Sequence, residues 1–178
     1  DAMMGLEDMY SKPVSGRGDG ATGAMAAGFY AFHNPSIGLR CFAFGLVFGI
    51  GGLFALVFNA SILGAAFGFM ARGPHADNFF HFVTAHGPFE LTAIALAAGA
   101  GMRLGFSLVD TGGYTRAAAL RRAAVEAMPS AYTAVLLFLM AAAIEGFLSP
   151  SAAPYWVKAA AAVGSCILLG FYFFGLGR

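Results

Sequence analysis

The chain has 178 residues, which fits one domain, and 59% of them are hydrophobic whereas only 11% are charged. Soluble domains carry about 25% charged residues, so this composition predicts lipid as the solvent and argues against an ordinary soluble protein. The net charge is only +1, and no basic run is long enough to follow nucleic-acid phosphates, so no nucleic-acid partner is expected.

The amino-terminal part is predicted to precede the membrane domain. Residues 1–20 are polar and glycine-rich, and they lack the basic start and apolar centre of a signal peptide. The membrane domain is expected to cover 21–178. Its first element, 21–33, is predicted as a short interfacial helix. This helix should end at "HNPS", because a residue before proline is disfavoured in the α region.

A long apolar stretch follows, since residues 41–71 contain no charged side chain. One span needs about 20 residues, so this stretch is too long for a single helix without strong tilt. We predict a break at "FNAS" (58–61), with one span at about 41–58 and a short or re-entrant helix at 60–72. The remaining spans are predicted at about 88–106, 131–148 and 155–176.

The orientation follows from the basic residues. Residues 115–127 are predicted as a short amphipathic helix before the span that Pro129 opens. The most basic loop, with Arg103, Arg116, Arg121 and Arg122 in or beside it, should be cytoplasmic. This puts residues 1–40 outside and the carboxyl terminus inside. Because the number of crossings is then odd, we expect a further span ahead of this chain.

Small residues recur at a spacing of four, in Gly45/Gly49, Gly64/Gly68, Ala97/Gly101/Gly105 and Ala142/Gly146. Lipid provides no hydrophobic drive between helices, so close backbone approach across small residues packs them together. The sequence therefore predicts an all-α fold, a polytopic transmembrane helical bundle with short interfacial helices, and a homodimer or higher oligomer. The alternative is that glycine and alanine are simply common in spans.

Four motifs in fixed order resemble the stage II sporulation protein M family. They are "FHNPSIGLRCFAFGLVFGIGGLFALVFNASILGAAFG", "FVTAHGPFELTAIALAAGAGMRLG", "TRAAALRRAA" and "AAAIEGFLSPS". The resemblance covers nearly the whole chain from about residue 29. Two positions depart from the family pattern: Ala60 stands where glycine is usual, and Pro88 replaces an aliphatic residue.

The resemblance implies a multi-pass protein of the cytoplasmic membrane, with an amino-terminal region and a first span ahead of the part seen here. In spore formers, the family's namesake is a membrane scaffold for a septal peptidoglycan-degrading complex. Members from bacteria that do not sporulate look like partners of ATPase or transport-related proteins, and the fold loosely resembles permease domains of ATP-binding-cassette exporters.

A few polar side chains lie among the apolar segments. A charge at mid-membrane costs about 2.5–3.5 kcal/mol, so these groups are expected to pair. We predict a common cluster of His86, Glu90, Glu145 and Arg40, with His33 and Asn34 entering from the same side. The cluster is either a structural network that fixes helix packing or a cavity that binds a proton or cation.

Two further polar residues are given separate roles. Arg103 lies 13 positions after Glu90, about 20 Å along a helix, and is therefore expected to snorkel at the cytoplasmic end or to meet Asp110. Asn59 is expected to cap the helix that begins after the predicted break.

A metal site of His81, His86 and Glu90 is a weaker alternative. Their spacing is not that of an HExxH motif, and the Gly87–Pro88 break is expected to keep them off a single helical face. No metal or cofactor is therefore expected. No Ser/His/Asp or Cys/His set is placed for catalysis, so the protein is not expected to be an enzyme.

Two functions stay open. The first is a membrane scaffold or assembly subunit of a cell-envelope complex, in the cell membrane. The second is a transporter or channel-like permease subunit, gated by His86 and Glu90. The expected partners are the lipid bilayer, further copies of the chain, and other membrane or envelope proteins.

Overall fold

The computed structural model describes residues 2–13 and 20–176, and every regular element within these ranges is helical. The α-helices are α1 (Ala2–Tyr10), α2 (Gly20–Gly45), α3 (Ile50–Met70), α4 (Ala76–Val83), α5 (Gly87–Ser107), α6 (Arg116–Ala143) and α7 (Tyr155–Gly170). Two π-helical segments, Ile144–Leu148 and Phe171–Leu176, continue α6 and α7. The predicted all-α class is confirmed.

Within the described residues, four helices are long and apolar enough to cross a membrane: Ile50–Met70, Gly87–Ser107, Arg116–Leu148 and Tyr155–Leu176. A helix rises about 1.5 Å per residue, so about 20 residues match the hydrocarbon core of a bilayer. The prediction of a multi-pass membrane protein is confirmed, and the spans predicted at 88–106 and 155–176 correspond to α5 and to α7 with its π-helical extension.

The chain divides into two compact units. Unit 1 comprises the described residues of 1–31, 66–90 and 140–178, and unit 2 comprises 32–65 and 91–139. The limits therefore fall within α2, α3, α5 and α6.

The core of unit 1 is aromatic and involves α1, which lies in the amino-terminal segment predicted to be polar. Tyr10 at the end of α1 is buried, and its ring packs edge-on against Phe79 of α4, with centroids 5.2 Å apart. Phe67 of α3 contacts the same Phe79 ring at 4.9 Å. Asn78 Nδ2 donates to Tyr10 O at 2.9 Å. These contacts fix α1 to α4 and to the end of α3.

The break in the long apolar stretch lies at 46–49 and not at 58–61. Helix α2 ends at Gly45, and the turn before α3 has positive φ at Phe48 (53°) and Gly49 (79°). The predicted span 41–58 and short helix 60–72 are therefore replaced by the end of α2, this turn and one continuous α3. Glycine adopts positive φ without steric cost, which suits Gly49 to the turn.

Helix α3 runs through "FNAS" because its polar side chains bond to its own backbone. Asn59 Nδ2 donates to Ala55 O at 2.8 Å, and Ser61 Oγ donates to Val57 O at 2.8 Å. Side chains satisfied in this way do not require the helix to end. A break here would instead leave backbone groups without partners in lipid.

The prolines do not break their helices either. Pro35 lies inside α2 and Pro129 inside α6, so the short helices predicted at 21–33 and 115–127 are the first parts of longer ones. Beside Pro35, Ser36 Oγ donates to His33 O at 2.6 Å. Membrane helices tolerate proline where neighbouring groups satisfy the freed backbone positions.

In unit 2, α2 and α5 cross at backbone contact. A Cβ added to Gly101 would lie 2.7 Å from Phe42 Cα, and one added to Gly45 would lie 2.5 Å from Met102 N. A Cβ on Gly105 would overlap Gly45 O. The glycines at four-residue spacing therefore leave no side chain between the two backbones where the helices meet.

Candidate functional site

The site begins at the amino-terminal turn of α5. Glu90 N donates to His86 O at 3.2 Å, and His86 Nε2 lies 3.7 Å from Glu90 Oε2. The break separates His81 on α4 from this turn, as expected, but it does not keep His86 and Glu90 off one helical face. Proline is tolerated in the first turn of a helix, because the N–H groups there have no intrahelical partner.

The π-helical segment Ile144–Leu148 supplies the second carboxylate. Ser149 N donates to Ile144 O at 2.8 Å, an i to i+5 bond that closes a wide turn. Glu145 Oε1 lies 3.9 Å from His86 Nε2, and Ser149 Oγ lies 2.9 Å from His86 Nδ1. Both nitrogens of one buried imidazole therefore face this segment. Single π-helical turns are frequent at functional sites.

Ser149 is held in turn by Lys158 of α7. Lys158 Nζ donates to Ser149 O at 2.6 Å and to Ser151 O at 3.2 Å. Lys158 is only 2% exposed. Carbonyl groups after a helix end are electronegative and lack intrahelical donors, so a lysine ammonium stabilises them.

Neither Ser149 nor Lys158 was among the residues predicted for the cluster. One signal was present: Lys158 is the only charged side chain between Glu145 and Arg178. The cost of a charge in lipid, which drew attention to His86 and Glu90, applies equally to this lysine.

His86, Glu90 and Glu145, named here the His–Glu cluster, lie in unit 1 and each offers one ligand atom within 4.8 Å of the others. His81, which the sequence suggested as a third ligand, is not among these three residues, and its ring lies 5.1 Å from the ring of Tyr155. In the part of the chain that the structure describes, no buried side-chain nitrogen or oxygen lacks a hydrogen-bond partner.

A family model described as Stage II sporulation protein M matches residues 4–150. The chain belongs to the stage II sporulation protein M family. The resemblance seen in the motifs is thereby confirmed. The match includes the His–Glu cluster and Ser149, whereas Lys158 lies beyond it. No curated protein and no solved structure matches the chain.

This stage II sporulation protein M family member also has a cavity beside the cluster in unit 1. Its volume is about 300 Å³. The lining includes Asp77, Asn78, His81, Ser151, Pro154 and Lys158. Lys158 thus borders the cavity and also bonds to Ser149, whereas the residues of the His–Glu cluster are not among the lining groups.

The other polar residues predicted for the cluster belong to unit 2. His33 and Arg40 are exposed and Asn34 is buried, and their association with the His–Glu cluster stays a prediction. Asn59 does not cap a helix, because α3 begins at Ile50. Its amide instead bonds to Ala55 O and lies 3.5 Å from Cys41 Sγ.

Arg103 does not pair with Asp110, whereas its snorkelling at the cytoplasmic end stays a prediction. It forms an ion pair with Glu126 of α6, whose other oxygen accepts from Arg122 Nε at 3.0 Å. Asp110 Oδ1 accepts from Gly112 N at 3.0 Å within its own loop. All three members of the Arg103–Glu126–Arg122 group are exposed, and we expect water to reach them near the end of α5.

Replacing Glu126 with glutamine should lower the melting temperature of the family member only slightly. Exposed ion pairs contribute little, and salt screens them. We expect the difference between Glu126→Gln and wild type to vanish in about 1 M salt, where the Debye length is about 3 Å. Thermal unfolding in detergent at low and high salt measures this. A large difference that persists at high salt would contradict a solvated pair.

Proposed function

We propose that this protein is a non-enzymatic membrane scaffold that assembles a cell-envelope complex by side-by-side helix packing. The observation that carries the proposal is the open apolar surface of α3. Only 11% of its most apolar stretch is buried within the described chain, as is also true of the span Tyr155–Leu176, compared with 39% for α5. A scaffold requires surfaces of this kind, which its own fold leaves available to neighbouring membrane helices.

The small residues on α3 support lateral packing. Ala60 and Gly64 are exposed, and a Cβ on Gly64 would meet no atom within 4 Å. Gly101, by contrast, is occupied by the contact between α2 and α5. In lipid, small residues four positions apart allow another helix to approach closely. A second copy of the chain is the simplest partner for this surface.

The polar groups of unit 1 fit a scaffold as well. His86, Glu145 and Ser149 are buried, and Lys158 ties the end of the π-helical segment to α7. Interhelical polar contacts of this kind hold membrane helices in one arrangement. In this proposal the cluster gives the platform its shape and carries no substrate.

Transport is the second candidate, and one observation favours it. The cavity in unit 1 ends at Lys158, from which hydrogen bonds continue through Ser149 to His86. A cavity joined to a chain of polar groups is what a proton or cation path requires at its entrance.

Flux measurements distinguish the two candidates. The full chain and its Glu90→Gln variant are reconstituted into liposomes, and proton and potassium fluxes are recorded under an applied gradient. The scaffold proposal expects both to match empty liposomes. Wild-type flux that the substitution removes would establish transport and contradict the scaffold.

Self-association tests the lateral surface directly. Gly64→Leu fills the open position on α3 and is expected to weaken self-association in lipid nanodiscs or mild detergent about ten-fold, or about 1.4 kcal/mol. Gly99→Leu is the matched control, since Gly99 of α5 is also exposed with no atom within 4 Å of an added Cβ. Equal effects of the two substitutions would contradict a specific α3 surface.

A further inference from the structure

We propose that the His–Glu cluster binds one divalent first-row transition-metal ion of the zinc class, with His86 Nε2 and one oxygen each from Glu90 and Glu145 as ligands. The ion would join the start of α5 to the π-helical segment after α6. This site goes beyond the scaffold proposal and does not depend on it.

The distances define a gap that suits an ion. His86 Nε2 lies 3.7 Å from Glu90 Oε2 and 3.9 Å from Glu145 Oε1. Both separations exceed the range of about 2.7–3.2 Å for a hydrogen bond. Tetrahedral zinc with bonds of about 2.0–2.1 Å holds its ligand atoms roughly 3.3–3.4 Å apart. A contraction of about half an ångström therefore brings either carboxylate oxygen to that distance from Nε2, and all three ligand atoms already lie within 4.8 Å of one another.

The donor atoms select the kind of metal. One imidazole nitrogen with two carboxylate oxygens suits zinc, manganese or iron, whereas magnesium and calcium prefer oxygen ligands alone. The side chains of His86 and Glu145 are only 7% and 8% exposed. Two carboxylates brought together at such a position repel one another, and a divalent cation between them offsets both charges.

Ser149 provides an independent sign of a metal ligand. It lies on the far side of the ring, where its Oγ is 2.9 Å from His86 Nδ1. If Nδ1–H donates to this hydroxyl, the lone pair of Nε2 faces the two carboxylates. Metal-bound histidines are commonly oriented by a hydrogen bond to their second nitrogen. Ser149 is fully buried and its carbonyl accepts from Lys158, so this positioning group is itself held.

The helical spacing adds to the argument. His86 and Glu90 are four positions apart in one continuous helical turn, so both side chains project from the same face. Glu145 and Ser149 are likewise four apart, one on each side of the His86 ring. Two short chain segments thus supply three ligand atoms and one positioning group.

Zinc binding by the full chain tests the proposal. The protein is purified in detergent, treated with chelator, incubated with Zn²⁺ and desalted, and its metal content is measured by mass spectrometry. We expect one zinc ion per wild-type chain, loss of that ion in Glu145→Gln, and retention in His81→Gln. His81 is the matched control because it lies on the neighbouring α4 outside the cluster.

A second variant, which changes a residue that orients His86 and not a metal ligand, guards against the case in which Glu145→Gln loses zinc because it does not fold. Ser149→Ala keeps the backbone carbonyl that Lys158 requires, and it should weaken zinc binding about 10–100-fold without abolishing it. The Co²⁺-loaded wild type should give visible bands of a nitrogen–oxygen site and no thiolate charge-transfer band. Absence of zinc from the wild type, equal loss in His81→Gln, or a cobalt–thiolate band from Cys41 or Cys166 would overturn the proposal.

Discussion

Replacing Gly101 with valine is expected to lower the free energy of unfolding by about 3 kcal/mol, the upper end of the usual cost of overpacking. An added Cβ would lie 2.7 Å from Phe42 Cα, and a backbone atom cannot rotate away as a flexible side chain can. Either α2 and α5 separate in unit 2 or the backbone distorts. For a chain of this size the melting temperature should fall by about 6–12 °C.

Thermal unfolding in detergent, followed by size-exclusion fluorescence, measures this change. Gly99→Val on the same helix serves as the control, because an added Cβ there meets no atom within 4 Å. We expect that control to melt within a few degrees of wild type. If the two variants lost equal stability, helix propensity and not backbone contact would explain the glycine at position 101.

Lys158→Met is the second large expected effect. Methionine matches the length of the lysine stem but cannot donate, so Ser149 O and Ser151 O lose the ammonium that now bonds to them. A hydrogen bond from a charged donor contributes about 1.5–3 kcal/mol, and a buried acceptor left unsatisfied costs about 1–3 kcal/mol. We expect a net loss of about 3 kcal/mol.

The matched control is Lys12→Met, since Lys12 is exposed. Melting temperatures of the two variants and wild type are compared in the same detergent. The expected order places Lys12→Met beside wild type and Lys158→Met well below both. A Lys158→Met protein as stable as wild type would mean that water or another donor satisfies these carbonyls, and the lysine would no longer count as the support of Ser149.

The sequence predicts the helical class, the membrane and the limits of α5 to within a few residues, because composition and hydropathy determine these properties directly. It does not predict the turn at 46–49. Residues 45–49 read as part of an apolar run, and nothing local distinguishes Gly49 from other glycines. The chain turns there while its glycines pack against Gly101 and Gly105 of α5, a contact distant in the sequence.

The expected breaks at Asn59 and at the two prolines failed for a different reason. The rules for turns and caps apply to helices that end in water, where water molecules bond to the backbone groups freed at the helix end. Lipid offers no such partners, so ending a helix costs more than retaining a polar side chain within it. The hydrogen bond from Asn59 to Ala55 O shows how the helix accommodates such a side chain.

The residues of the candidate site were predicted only in part. Scarcity of charge identified His86, Glu90 and Glu145, and the structure brings these three together. Ser149 escaped notice because it carries no charge and follows the predicted end of its span at residue 148, so scarcity of charge did not single it out.

The unequal lengths of the spans have a consequence for the surrounding bilayer. Ile50–Met70 has 21 residues, or about 31 Å, which matches the hydrocarbon thickness. Arg116–Leu148 has 33 residues, or about 50 Å, and exceeds that thickness by nearly 20 Å. A span of this length either tilts strongly or extends beyond the hydrocarbon, so we expect its arginine-bearing first third to reach the headgroup layer, where guanidinium groups bind lipid phosphates.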